Sequence, residues 1–312
     1  MRWITYVSPA DGHERAGLLA GDAEGAEVRG LDGPLLRLIE ADGGLAAAAE
    51  RATTSPVEVH PLAGLGLRAP IPRPPSVRDF LSFEEHLRNA RGALGRADVP
   101  EAWYTQPVFY FTNPAAIRGP DAEIPISPGC ERFDYEVEVA AVIGRAGADL
   151  APDEAERHIA GYTIFCDWSA RDLQARESTI GLGPAKAKDG ATSIGPYLVT
   201  PDELKPHRAG KGYRLGMRAA VNGRPHGGGS WADIHWSFGQ MLAYAARGTQ
   251  LRPGDVIGSG TVGTGCILEL AHLHGSDAYP WLRPGDEVTI EIDRLGALTG
   301  RIVPGPDVVP LG

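Results

Sequence analysis

The stretch RFDYEVEVAAVIG, residues 132–144, decides how this chain is interpreted, because it places three carboxylates at alternate positions. Side chains two apart on an extended strand point to the same face, so Asp134, Glu136 and Glu138 share one face. Same-face neighbours lie roughly 7 Å apart, and each ionised pair repels by about 2 kcal/mol at an effective dielectric of about 20. Such a face is stable in open water or around a cation. The apolar run that follows indicates a strand entering the core, where unpaired carboxylates are costly.

The composition excludes several classes of function. The chain has 312 residues, of which 43% are hydrophobic and 22% charged, as in ordinary globular proteins. Its net charge of −10, with no cluster of Lys and Arg, argues against nucleic-acid and anionic-membrane partners. No apolar run has the length of a signal peptide or of a membrane span. The three scattered cysteines include no CxxC pair, and they predict a reducing, cytoplasmic location.

Proline and glycine divide the chain into short segments. The cluster APIPRPPSV, residues 69–77, is the clearest linker. We therefore predict a small N-terminal α/β domain over 1–70 and a catalytic domain over 71–312. Just beyond the linker, Ser82 and Glu85 form a capping-box pattern that predicts a helix starting near Ser82.

From residue 106 onward the patterns are mostly those of strands, interrupted by helical stretches around 167–177 and 235–247. The segment TGCILEL, residues 264–270, has the pattern of a turn followed by a strand. The predicted fold class is α+β and β-rich, without regular βαβ alternation.

Further carboxylates extend the acidic set. In CDWSARDLQARE, residues 166–177, the spacing places Asp167, Arg171 and Gln174 on one face of a helix. Any one acidic residue, taken alone, is more simply a solvated surface charge. Together, four carboxylates from separate segments form an all-oxygen set that suits Mg²⁺, with Mn²⁺ or Ca²⁺ as alternatives. These are Asp79, Glu136, Glu138 and Asp167.

Between residues 75 and 303 the order of these motifs resembles the fumarylacetoacetate hydrolase superfamily. The resemblance implies a mixed β-roll catalytic domain in a homodimer. The segments FDYEVEVA, CDWSARDLQ and RDFLSFEEH resemble those that bear the family's metal ligands, which would be Glu136, Glu138, Asp167 and Asp79. In the last of these segments, His86 would be the catalytic base.

The same resemblance implies the remaining site residues. Arg171 and Gln174 would contact the substrate or its oxyanion. The segment GPAKAKDGATSIGP would supply a catalytic lysine, which is Lys188 or, in another register, Lys186. PVFYF would contribute Tyr110 to substrate binding, and GSGTVGTGCILEL would contribute Thr261 for the substrate and Glu269 as the partner of the histidine.

The activity implied is metal-dependent hydrolysis of a C–C bond in a β-diketo acid, either an acylpyruvate or a fumarylacetoacetate-like substrate. The metal would stabilise an enolate, and His86 with Glu269 would activate water. The alternative is an oxaloacetate decarboxylase or tautomerase, or a dienoic diacid isomerase, at the same metal site. We take the intact pair as favouring hydrolysis, because the alternatives need no attacking water.

Two departures from the family pattern argue against fumarylacetoacetate itself as the substrate. Leu81 stands where the hydrolases carry a second tyrosine. The arginine of their mobile loop has no unambiguous counterpart, since Gly95 falls in register beside Arg96, with Arg91 nearby.

Three rival interpretations carry less weight. GSGTVG, residues 258–263, fits the dinucleotide fingerprint GxGxxG, but that motif must open a helix, and the strand pattern after it argues against this. HLH, residues 272–274, lies near Glu269, but no further ligand for zinc stands at a suitable spacing. A member that kept its metal for structure alone would be expected to have lost His86 or Glu269.

Overall fold

The computed structural model describes residues 1–21, 25–96 and 98–312. A mixed sheet of twelve strands carries the acidic stretch near its middle. Its strands are β1 (Arg2–Val7), β2 (Glu14–Ala20), β3 (Glu27–Asp32), β4 (Glu58–Pro61), β5 (Gly66–Arg68), β6 (Val77–Phe80), β7 (Phe109–Thr112), β8 (Ile117–Arg118), β11 (Val137–Ile143), β13 (Ile159–Asp167), β15 (Thr192–Val199) and β21 (Val256–Gly258). They follow the order β4-β3-β2-β1-β15-β13-β11-β21-β6-β7, with β5 beside β1 and β8 beside β15.

A second sheet of five strands packs against the large one. Its order is β19-β18-β22-β23-β9, formed by β9 (Ala122–Pro125), β18 (Gly216–Val221), β19 (Arg224–Ser230), β22 (Glu287–Ile292) and β23 (Gly296–Val303). Three short ladders join β10 (Phe133–Asp134) to β14 (Ser169–Ala170), β12 (Gly147–Ala148) to β20 (Gln250–Leu251) and β16 (Arg208–Ala209) to β17 (Gly212–Tyr213). The helices are α1 (Leu35–Glu40), α2 (Gly44–Thr54), α3 (Glu84–Ala93), α4 (Glu101–Thr105), α5 (Pro152–Ala155), α6 (Arg171–Ile180), α7 (Pro201–Leu204), α8 (Phe238–Ala245) and α9 (Ile267–His274). The predicted β-rich α+β fold is thereby confirmed.

Strand β11 explains why the acidic stretch lies inside the protein. All seven of its residues are buried. Val137 and Val139 belong to the main core cluster, which includes residues of both sheets. Ala140 and Val142, on the opposite face, pack with the N-terminal strands and helices. Because both faces are covered, a carboxylate on this strand lies inside the protein and not on its surface.

The first seventy residues extend the large sheet. Strand β1 pairs antiparallel with β15, with Trp3 opposite Leu198. Helices α1 and α2 pack over this part of the sheet. The division into 1–70 and 71–312 remains a proposal about how the chain is organised.

Two predicted helix boundaries are wrong at their N-terminal ends. Helix α3 begins at Glu84 with Phe83 as its N-cap, and the buried hydroxyl of Ser82 donates to Met241 Sδ instead of capping the helix. Asp167 is not helical: it ends strand β13 opposite Thr192, and helix α6 begins only at Arg171. In each case tertiary pairing holds the residue outside the helix that the local pattern suggests.

Two further segments differ from their sequence patterns. Residues 267–274 form helix α9, where a strand was predicted from 266 onward. A short apolar run fits a buried strand and a buried helix equally well, so periodicity alone could not decide. The Ala-rich stretch near residues 35–50 forms two helices, with Gly43 at the break in the left-handed region (φ +78°).

None of the described helices combines the length and the apolar composition needed to cross a bilayer.

Candidate active site and metal centre

Four buried carboxylates meet where the central strands of the large sheet end. Asp79 lies on β6, Glu138 on β11, Glu136 just before β11, and Asp167 at the end of β13. One carboxylate oxygen from each residue lies within 4.8 Å of the others. The strand order β13-β11-β21-β6 brings these positions together. The structure therefore assembles the four residues that the sequence predicts as metal ligands.

The GSGTVG loop lies against this cluster. The backbone N–H of Gly260 donates to Asp79 Oδ1 at 3.2 Å and to Glu138 Oε2 at 3.0 Å. Thr261 Oγ1 donates to Glu138 Oε1 at 3.3 Å. A Cβ atom on Gly258 would lie only 2.4 Å from Asp79 Oδ1. The glycines of this loop thus make room for carboxylates, which accounts for the motif without a bound nucleotide.

The carboxylates differ in the protonation state that their surroundings favour. Burial raises the pKa of Asp79 and, with the repulsion of neighbouring carboxylates, holds the pKa of Glu138 well above its usual range. Burial likewise raises the pKa of Asp167 to about 7. Burial opposes ionisation of Glu136 too, but the facing charges of Lys188 and Arg171 hold its pKa below the usual range.

The cluster fits a divalent cation. Asp167 Oδ1 is buried and has no hydrogen-bond partner among the described residues. Within the described part of the chain, Asp134 and the four clustered carboxylates have two cationic side chains at ion-pair distance, which leaves three negative charges unbalanced if all five are ionised. A hard, all-oxygen donor set of this charge is the kind that binds Mg²⁺, Mn²⁺ or Ca²⁺.

Lys188 reaches into the carboxylate cluster, whereas Lys186 does not. Lys188 Nζ donates to Glu136 Oε2 at 2.5 Å, Asp167 Oδ2 at 2.6 Å and Ser169 Oγ at 2.7 Å. Burial alone would lower the pKa of Lys188, but the two carboxylates raise it above its usual value. Lys186 is 76% exposed and pairs with Asp189. The sequence leaves two candidates for the catalytic lysine, and Lys188 is the one that lies at the site.

Tyr110 and Arg171 also contact the cluster. Tyr110 lies opposite Asp79 across β6 and β7, and its hydroxyl donates to Asp79 Oδ2 at 3.0 Å and to Asp167 Oδ2. Arg171 Nη2 lies 2.8 Å from Glu136 Oε1, and Nη1 donates to Gln174 Oε1 at 3.1 Å. Nη2 is buried, and among the described residues it is held by this ion pair without hydrogen-bond geometry.

His86 and Glu269 form a buried pair. His86 Nδ1 lies 2.8 Å from Glu269 Oε2. Burial opposes the charged form of His86, but Glu269 raises the pKa of the imidazole above its ordinary value. The carboxylate accepts at Nδ1, which leaves Nε2 as the ring atom that can take up a proton.

Three donors hold Glu269 in addition to His86. Oε1 accepts from Asn89 Nδ2 at 3.0 Å and from the Thr264 N–H at 2.9 Å, and Oε2 accepts from Cys266 Sγ at 3.2 Å. Burial would raise the pKa of Glu269, but His86 and these donors lower it below the usual value. His86, Cys266 and Glu269 lie close enough to bind an ion, but their mutual hydrogen bonds account for the contact.

All of these groups line or adjoin one cavity of about 390 Å³. Its polar wall carries three of the four carboxylates (Asp79, Glu136 and Glu138) together with Lys188, Arg171, Gln174, Thr261 and His86. The outer wall is mostly apolar and consists of Leu81, Leu87, Ala90, Leu94, Val108, Phe109, Ala175, Pro184 and Leu268, with Arg91 and Ser178 as its polar members. The guanidinium of Arg91 donates through Nε to the carbonyl of Asp98 at 2.5 Å.

Sequence reasoning did not identify some of the residues that position the site. Ser169 contacts Lys188, and Asn89 contacts Glu269. Asn89 lies one helical turn after His86, a spacing that could have indicated a shared face of α3. The two histidines of HLH belong to no group of metal-binding geometry among the described residues.

Comparison with known proteins gives related chains of several activities. Residues 76–303 match the model of the fumarylacetoacetate (FAA) hydrolase C-terminal family. The chain is 30% identical over 247 residues to the oxaloacetate tautomerase YisK of Bacillus subtilis (strain 168), covering 78% of this chain and 75% of that one. It is 27% identical over 311 residues to the mitochondrial oxaloacetate tautomerase FAHD2A of Homo sapiens, covering 97% and 92%. The solved structure of the fumarylacetoacetate hydrolase of Exiguobacterium antarcticum superposes with a TM-score of 0.69 at 25% identity, covering 97% of this chain and 99% of that one.

Proposed function

This chain belongs to the fumarylacetoacetate hydrolase family, and from that premise we propose that it is a metal-dependent tautomerase of a short 2-oxo acid of the oxaloacetate type. The observation that carries the proposal is the meeting of four buried carboxylates with the His86–Glu269 pair at one cavity. The oxaloacetate tautomerases among its relatives support this activity over hydrolysis, which the sequence had favoured.

The His86–Glu269 pair does not by itself distinguish the two reactions. In hydrolysis the imidazole removes a proton from water. In tautomerisation one proton moves between carbon 3 and the oxygen on carbon 2, and a polarised imidazole can carry it. The His86–Glu269 pair can therefore serve tautomerisation as well as hydrolysis.

The roles of the other residues follow from their positions. Asp79, Glu136, Glu138 and Asp167 would hold the cation, which would stabilise negative charge developing on the substrate oxygens. Arg171 and Lys188 place positive charge at one end of the cavity, which Gln174, Tyr110 and Thr261 also line. The three N–H groups of Lys188 already bond Glu136, Asp167 and Ser169, so its part is the positive charge, which stabilises an oxyanion formed nearby.

A second candidate is hydrolysis of an acylpyruvate, and the outer cavity favours it. Oxaloacetate is a small acid that would leave much of a cavity of about 390 Å³ unfilled. The mostly apolar outer wall suits an acyl group, whereas a second carboxylate would find two polar side chains there among the described residues, Arg91 and Ser178.

Three further parts of the proposal come from the resemblance and the composition. We propose Mg²⁺ as the cation, a homodimer as the assembly and the cytoplasm as the location. Light scattering of the purified protein and metal analysis after mild purification test the first two directly.

The two activities are separated by one set of assays. Keto–enol exchange of oxaloacetate is followed by ultraviolet absorbance, and pyruvate release from a series of acylpyruvates by a coupled assay. Each assay is run with Mg²⁺, Mn²⁺ or EDTA, and with metal alone in buffer to subtract the uncatalysed reaction. His86→Gln is compared with His13→Gln, whose histidine is 81% exposed and remote from the cavity.

Metal-dependent exchange without pyruvate release, lost in His86→Gln and retained in His13→Gln, supports a tautomerase. Metal-dependent release of pyruvate and an acid identifies the hydrolase instead. Exchange that persists in His86→Gln would overturn the role given to the imidazole, and activity insensitive to EDTA would overturn the role given to the metal.

A further inference from the structure

Asp134 is the carboxylate of the acidic stretch that does not join the metal cluster. It is fully buried, and its two oxygens accept four hydrogen bonds. Oδ1 accepts from the N–H groups of Tyr135 and Ile267, each at 2.8 Å. Oδ2 accepts from the N–H of Leu268 at 3.0 Å and from Arg171 Nε at 2.8 Å. These donors leave little capacity for coordinating an ion.

Two of the four bonds fix the start of helix α9. Its N-cap residue, Cys266, makes no side-chain capping bond. Asp134 accepts the first two N–H groups of the helix instead, and a carboxylate at a helix N-terminus is also favoured by the helix dipole. The next residue of that helix is Glu269, which holds His86. The position of the proton-transfer pair therefore depends on the contact at Asp134.

The fourth bond fixes Arg171 on a different element. Arg171 is the first residue of α6 and is held at Nε by Asp134 and at Nη1 by Gln174. With these two nitrogens held, Nη2 is placed beside Glu136, a predicted metal ligand. The plane of the guanidinium is thus set by a residue that neither binds metal nor lines the cavity.

We propose that Asp134 is a positioning residue that couples two parts of the site, the guanidinium of Arg171 and the His86–Glu269 pair. This inference rests on the proposed function for its kinetic test, but not for its test by ligand binding. One short segment, residues 134–138, would then supply two metal ligands, Glu136 and Glu138. It would also supply Asp134, which positions the side chains around them.

The kinetic test uses Asp134→Asn, which keeps the side-chain shape but replaces one acceptor oxygen with a donor. We expect kcat/KM to fall about a hundredfold, because small misplacements of reacting groups have effects of that size. Mn²⁺ affinity, measured by calorimetry, should fall by no more than about tenfold, the lower end of the effect of changing a group behind a metal ligand, since no ligand itself is removed. The control is Asp172→Asn, which changes a nearby helix-start carboxylate that bonds the N–H groups of Glu131 and Leu173.

Double-mutant cycles separate a positioning role of Asp134 from a nonspecific loss of activity. Asp134→Asn is combined with Arg171→Gln and, separately, with Glu269→Gln. Coupling predicts that each double variant is much less impaired than the product of its two single losses, because the second change removes a group already displaced. Additive losses in both cycles, or a loss of Mn²⁺ affinity as large as the loss of activity, would overturn the proposal.

A binding test covers the case in which no tested 2-oxo acid is turned over. The probe is oxalate, a planar dianion, titrated into the Mn²⁺-loaded protein. We expect Asp134→Asn to bind oxalate about tenfold more weakly, with the loss absent in the Arg171→Gln background. If oxalate affinity is unchanged, Asp134 does not position Arg171, whatever the reaction. Should Asp134→Asn fail to fold, Asp134→Ser, which retains one acceptor, takes its place in every arm.

Discussion

His86 and Glu269 meet through one hydrogen bond of 2.8 Å that joins positions 183 residues apart in the chain. Helix α3 carries the imidazole and helix α9 carries the carboxylate. The bond fixes the Nδ1 proton and leaves Nε2 for proton transfer. Because both residues are buried, the charge of Glu269 acts on the imidazole with little screening by solvent.

Removing that charge should move the pH dependence of the reaction. Neutral His86 is the active form, and Glu269 raises its pKa, so the acid limb of kcat/KM lies above the ordinary pKa of histidine. In Glu269→Gln the limb should move to lower pH, because the imidazole then loses its proton more readily, while the plateau falls about a hundredfold. The pH–rate profile measures both effects. Glu84→Gln, which changes an acid at the start of the same helix as His86, should leave the limb in place, and an unmoved limb in Glu269→Gln would contradict the pairing.

A single ligand substitution should abolish tight metal binding. In Glu138→Gln the donor set loses one of four carboxylates, and Mn²⁺ affinity should fall by at least about a hundredfold. Calorimetry with Mn²⁺ measures this loss. Glu131→Gln, which changes an exposed carboxylate at the surface, should bind as the wild type does. Equal affinity in Glu138→Gln would exclude this cluster as the metal site.

The same substitution should stabilise the protein once the metal is removed. Without a cation the clustered carboxylates, with oxygens within 4.8 Å of one another, would repel by at least about 3 kcal/mol per ionised pair at an effective dielectric of about 20. Burial and this repulsion raise the pKa of Glu138, so folding without a cation requires that the group be protonated at neutral pH, and Gln removes that cost. We expect the melting temperature of Glu138→Gln in EDTA to exceed that of the wild type by about 2–4 °C. With saturating Mn²⁺ the order should reverse, and a lower melting temperature in EDTA would show that the cluster carries no unrelieved repulsion.

The two lysines of the AKAK segment provide a matched pair of variants. Lys188 contacts Glu136 and Asp167, whereas Lys186 is 76% exposed. Lys188→Met should lower kcat by about a hundredfold, since removing one oxyanion donor costs about 3 kcal/mol of barrier height. Lys186→Met should retain wild-type kcat. Equal losses in the two variants would show that the positive charge of the segment, and not the position of one amine, matters to the reaction.

The sequence was sufficient for the fold class and for the composition of the acidic cluster. Alternation along residues 132–144 placed Glu136 and Glu138 together, and the segments around Asp79 and Asp167 supplied the other carboxylates. The same patterns did not reveal that Asp167 ends a strand, because its helix-like spacing to Arg171 is coincidental when β13 pairs with β15. Local patterns also could not predict contacts between residues that are far apart in the chain.

The start of α9 illustrates that limit most clearly. Nothing within residues 266–274 marks the helix N-terminus, because its capping group is Asp134, more than 130 residues earlier in the chain. Local pattern reasoning finds a cap only when the capping residue is adjacent in sequence. The choice between strand and helix for this apolar run was therefore made by a contact that only the folded chain contains.

The outer cavity predicts how the enzyme should discriminate between substrates of different size. Ala90 lies on its wall, on the same helix as His86, and Ala90→Phe would fill part of the space beyond the reacting atoms. For acylpyruvates with long acyl chains, kcat/KM should fall by about tenfold or more, because displaced apolar contacts of a few methylene groups have effects of that size. Oxaloacetate, which ends before that wall, should be processed at the wild-type rate. Ala93→Phe, on the same helix but away from the cavity, is the matched control, and an equal loss for oxaloacetate would mean that small and large substrates both reach the outer wall.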